Sequence, residues 1–236
     1  MSTLPHPRRF YLGLSLFVMA IAFAGFWPTY FGPLLAGTVD KPTVIHFHAA
    51  IYVGWLAIFV AQTAFAATRR VGLHVTLGRF AIGYGVLVIA MGVTVAFSMF
   101  ALRVRSGNIE QAQASLLGPL LDMAVFAPLF AAAIYYRRQP ERHKRLMIVA
   151  TTVLLIAAVA RMPWLGTPRN PWLVQLVWWA PILLAMGYDY ARQRAVHAIY
   201  LLGLVVTALE SPTIRRLARE TATWHDAGAW LATWVS

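Results

Sequence analysis

Apolar residues in this chain gather into blocks at about residues 10–31, 44–67, 80–102, 115–136, 146–165, 172–190 and 197–210, separated by short runs rich in arginine. Most blocks approach the ~20 residues that carry an α-helix across ~30 Å of hydrocarbon at 1.5 Å per residue. In lipid the backbone groups of a segment must satisfy one another, which makes such blocks helices. The pattern predicts an all-α polytopic transmembrane helical bundle, one integral membrane domain over 1–236 with about seven spans. The last block is short and runs into Glu210, Ser211 and Pro212, so six spans is the alternative count.

The basic residues alternate from loop to loop. Arg8 and Arg9 precede the first block; Arg69, Arg70 and Arg79 follow the second; Arg137, Arg138, Arg142, Lys144 and Arg145 follow the fourth; Arg192 and Arg194 follow the sixth. The opposite set holds Lys41, Arg103, Arg105 and Arg169. By the positive-inside rule the first set and the N-terminus are expected in the cytoplasm, in a protein of the inner (cytoplasmic) membrane. Arg215, Arg216 and Arg219 fit this scheme badly, because seven spans put them outside. The apolar stretch after Arg9 continues through Trp27 without a clear small-residue cleavage site, so it is expected to be a first span acting as an uncleaved signal anchor.

Composition narrows the chemistry. The chain is 60% hydrophobic and 12% charged, against about 45–50% and about 25% in ordinary soluble domains. Its formal charge of +12 sits at the ends of apolar blocks, which suits lipid headgroups and topology better than nucleic acid. There is no cysteine, hence no disulfide, thiolate metal site, iron–sulfur cluster or thiol nucleophile. The only lysines are Lys41 and Lys144, neither within a span, so a retinal Schiff base has no nucleophile. Histidine boxes of the desaturase type, phosphate-binding glycine loops and serine nucleophile elbows are also missing from the sequence.

Ionisable residues at membrane depth are costly and point to function. His48, Asp122 and Arg161 fall at similar outer depths and form one candidate ligand or proton site. Antiparallel neighbours joined at 137–145 would bring Asp122 and Arg161 together as an ion pair. His46 and His48 point about 200° apart on a regular helix, so they cannot serve one site. His48 shares its stripe with Tyr52, Trp55, Phe59 and Gln62, a face suited to protein contact; the stripe of His46 holds small and aliphatic residues suited to lipid or a close helix.

At the inner boundary stand His74 and His143, in similar settings: Arg70-x-x-x-His74-x-x-Leu77 opens the third helix much as Pro140-x-x-His143-x-x-Leu146 opens the fifth. This hints at a duplicated hairpin. His143 and Arg161, 18 residues apart, would share one helix face across five turns. His74 is followed by Gly78, Gly85 and Gly92, small residues that admit a close helix or a flat cofactor. The tryptophans lie mostly near block boundaries or in the tail, as membrane anchors.

An outer histidine before an apolar run, the His-x-x-Leu turn, an aspartate in the next hairpin and the phrase HKRLMIVAT resemble uncharacterised bacterial multipass membrane proteins over about residues 44–161. More distantly the pattern resembles di-haem transmembrane cytochromes b, which implies haem b held by histidines of neighbouring helices. On that likeness His74 and His143 are the expected cofactor-binding pair, with quinone as a partner. The outer side departs from the likeness, because His46 and His48 share one helix. The competing readings are a cofactor-free transporter or small-molecule binding protein built on His48, Asp122 and Arg161, and an accessory subunit of a larger membrane complex.

Overall fold

The computed structural model describes residues 6–165 and 170–235; Arg169 lies outside the described residues. Helix α1 (Pro7–Phe26) continues through a π-helical turn (Trp27–Phe31) into the short α2 (Gly32–Leu35). The long helices α3 (Thr43–Ala67), α4 (Val71–Arg105) and α5 (Ile109–Tyr135) follow, then the two pieces α6 (Pro140–Val153) and α7 (Ile156–Val159), ending in a 3₁₀ turn at Pro163–Leu165. Helices α8 (Pro171–Gln193), α9 (Ala198–Leu209), α10 (Pro212–Arg219) and α11 (Ala222–Ala232) complete the chain. Among the described residues, six stretches are long and apolar enough to cross a membrane, namely 7–35, 43–67, 71–105, 109–135, 171–193 and 198–219. The protein is a multipass membrane protein.

The fifth apolar block is outside that set because it is broken, yet it follows α1 from end to end. Lys144 sits 4.9 Å from the Tyr11 ring near the start of α1, while Gly25 packs on the backbone of Ala158 and Arg161 lies 5.1 Å over the Phe26 ring near its finish. Lys144 and Arg161 thus lie beside opposite ends of α1. The break has a local cause: the Trp178 indole of α8 donates to the Thr152 carbonyl at 2.7 Å, and Leu155 N–H turns back onto the same oxygen at 3.0 Å. That carbonyl leaves the regular ladder, and α6 stops at Val153. A few residues on, Pro163 disfavours helix at Met162. The five-turn register expected from His143 to Arg161 is therefore interrupted.

Side chains are sorted as lipid requires. Large apolar residues such as Leu16, Phe47, Phe80, Val86, Leu201 and Val205 are exposed over the long helices, a surface that only hydrocarbon or another apolar partner can cover. The interior holds the aromatic contacts of Trp55 with Phe126 and Phe130, together with hydroxyl links such as Tyr11 to Tyr200 at 2.9 Å and Ser15 to Thr63 at 2.7 Å. Between α4 and α5, packing is set by glycine. A methyl group at Gly85 would collide with the Phe130 ring, and one at Gly92 with Met123 and Tyr52. That stripe serves helix contact along its buried length, with its notches filled by side chains.

Candidate functional site

The basic end of the bundle holds two short interhelical turns. Helix α3 ends at Ala67 and α4 begins at Val71; α5 ends at Tyr135 and α6 begins at Pro140. His74 and His143 are each the fourth residue of the helix that follows. The Nδ1 of His74 lies 3.2 Å from the Gln62 carbonyl, and that of His143 lies 2.8 Å from the Ala133 carbonyl. A carbonyl only accepts, so in both rings Nδ1 carries the hydrogen, which in the neutral imidazole leaves Nε2 with its lone pair. Both side chains are half-buried, and the charge on one ring bears on the other. The arrangement supplies two oriented nitrogen donors from different helices, flanked by Arg69, Arg70, Arg137 and Arg142. The two turns differ in detail: three residues, with Arg69 in the left-handed region, join α3 to α4 and four join α5 to α6, and the carbonyls met by His74 and His143 lie 12 and 10 residues before them.

Next to this end lies an ion cluster that the sequence reading missed. Arg145 is almost fully buried and reaches Asp189 through Nε at 2.9 Å and Nη2 at 2.6 Å, while Nη1 donates to the Glu141 carbonyl and carboxylate at 2.6 Å each. Lys144 meets Glu141 at 2.7 Å. Partial burial pushes the Glu141 carboxyl up, but its bonds from Lys144 and Arg145 outweigh this and hold it below the ordinary range. Arg145 reads in sequence as the last charge of a loop; it is in fact the sixth residue of α6 and pins that helix to α8. The available signal was Asp189, an acid within an otherwise apolar block.

At the opposite end, Asp122 is buried and takes its partner from α10. Arg215 Nη2 lies 2.5 Å from Asp122 Oδ1, and the same guanidinium donates to the Glu210 carbonyl at 2.6 Å and the Gly118 carbonyl at 3.3 Å. Glu210 adds a second carboxylate 3.6 Å from Arg215. The ion pair expected between Asp122 and Arg161 is thus replaced. Arg161 bonds the Ala157 carbonyl and covers Phe26, although its charge still acts on both Asp122 and His48. Arg215 is no stray loop charge, since it is buried in the bundle.

The α3 stripe turns inward as its pattern predicts, with Trp55 and Phe59 the buried residues of that helix. His48 rests against Tyr52 with ring centroids 4.1 Å apart, and its Nδ1 is buried without a hydrogen-bond partner. His46 turns away and meets the Tyr30 hydroxyl at 3.0 Å. His225 returns with the tail to α5, where its Nδ1 lies 3.1 Å from Gln113 Oε1. The histidines at this end therefore have separate neighbours. Among the described residues no group of three or more histidines and carboxylates is placed to hold a metal ion. No family model, curated protein or solved structure matches this chain.

Proposed function

We propose that this membrane protein carries electrons through one haem b, held at the basic end by His74 and His143, with a quinone of the bilayer as redox partner. The observation that carries the reading is the matched pair of Nδ1-to-carbonyl bonds, to Gln62 and Ala133. A ring fixed through Nδ1 presents a neutral, oriented Nε2 to a metal, and the bond raises its basicity. Two such rings from different helices would supply both protein ligands to a haem iron. The haem would supply a one-electron couple; the chain would bind it through both imidazoles and meet its carboxylates with the arginines of the two turns. On this reading the end lies in the cytoplasm of an inner-membrane protein, as the positive-inside rule expects of basic loops.

Haem content tests the reading. Protein expressed with ample haem supply and purified in mild detergent is expected to hold one haem per chain, reducible and reoxidisable by a quinol/quinone pair. Colourless protein after haem-replete expression excludes it.

One observation favours a second reading, a cofactor-free binding or transport site at the other end. His48 Nδ1 is buried and unpartnered, and the charge of Arg161 reaches both His48 and Asp122. In that case His48→Ala abolishes pH-dependent ligand binding, while His74→Ala leaves it intact.

A further inference from the structure

Between α1 and α8, at the end where the chain begins, an open groove of about 280 Å³ is lined by Arg9, Phe10, Gly13, Leu14, Phe17 and Leu184. We infer that it binds one anionic phospholipid, its acyl chain lying over Gly13 and Leu14 and its phosphate held by Arg9.

The shape of the groove follows from the order of side chains on α1. Phe10, Gly13, Leu14 and Phe17 share one face at helical spacing, with the two large rings on either side of a residue that has no side chain. No atom would lie within 4 Å of a Cβ at Gly13, so internal packing gives no reason for glycine there. The absent side chain leaves a notch. Phe10 is fixed by stacking on Tyr188 of α8 at 3.8 Å between centroids, with planes 7° apart, and makes a firm wall. Phe10 and Phe17 are seven residues apart, about 10 Å along the axis. Once the rings take their own thickness, the slot between them is too narrow for a helix of about 10–12 Å diameter. An acyl chain fits where a partner helix does not.

Charge identifies the headgroup. Arg9 is exposed at the mouth of the groove with no carboxylate in salt-bridge range among the described residues, and Arg8 beside it is exposed as well. Arg194 caps α8 six residues beyond Tyr188. A protein partner would desolvate Arg9 without neutralising it unless it brought its own acid. A lipid phosphate neutralises it at the headgroup depth where α1 begins.

Native mass spectrometry of the full chain, released from detergent after exchange into equimolar dioleoyl phosphatidylglycerol and phosphatidylcholine, tests the site. One retained phosphatidylglycerol per chain is expected. Arg9→Gln should lower its retention about fivefold, the factor for one basic residue at an anionic lipid surface. Gly13→Leu, placed in open space, should remove the bound lipid without altering thermal stability. Equal retention of both lipids, or anionic lipid retained unchanged by both variants, overturns the proposal. So does loss of a protein oligomer in Gly13→Leu with lipid retention unchanged, which would make the groove a chain–chain contact.

Discussion

Arg215 reaches from α10 to Asp122 on α5 across 93 residues of sequence and closes an ion pair of 2.5 Å inside the bundle. Removing one partner of such a pair strands a charge where little water can reach it. Arg215→Gln is therefore expected to destabilise the protein by about 3 kcal/mol or more. Arg161→Gln, which breaks no ion pair among the described residues, should cost distinctly less. Unfolding in mixed micelles with increasing dodecyl sulfate measures both, and equal losses would refute the assignment of partners.

Arg145 should resist even conservative replacement. Its planar guanidinium spans Asp189 and Glu141 at once through bonds of 2.6–2.9 Å. The lysine ammonium is a point charge without that fork. Arg145→Lys is expected to lose most of the stability lost by Arg145→Gln in the same unfolding assay. Full retention of stability by Arg145→Lys would show that charge alone suffices.

Acid should loosen the start of α6. Glu141 has its carboxyl held below the ordinary range in the folded chain, so its contribution is present above the unfolded-state value and is lost as pH falls through the folded one. Melting temperature is expected to decline below about pH 4.5, in part through this group. Glu141→Gln should flatten that part of the profile, while an unchanged acid limb would assign the decline to other groups.

The chain lacks cysteine, which makes single-cysteine labelling clean. Cysteine at Arg69 or Arg138 is expected to be protected from an impermeant thiol reagent in intact cells, and cysteine at Asn108 to react. The reverse pattern would invert the orientation drawn from the positive-inside rule.

What the sequence made legible was whatever depends on local periodicity. The inward stripe of α3 follows from spacing along a single helix and appears in the fold. Long-range choices were hidden. Asp122 had two arginines available, and the one it takes lies in a segment whose charge resembles a loop. The break between α6 and α7 originates in an indole on α8, so no motif within residues 146–165 announces it. Arg145 was obscured because a basic run and the helix it enters look continuous.

Joint haem binding by His74 and His143 is the central claim, and absorption spectroscopy of purified single variants tests it most directly. In protein from haem-replete cells, the reduced-minus-oxidised spectrum of the parent is expected to show the sharp α band of a six-coordinate haem b. His74→Ala and His143→Ala should each abolish or broaden that band, and His48→Ala should leave it unchanged. A parent band that survives both inner substitutions, or disappears only with His48, would contradict the account.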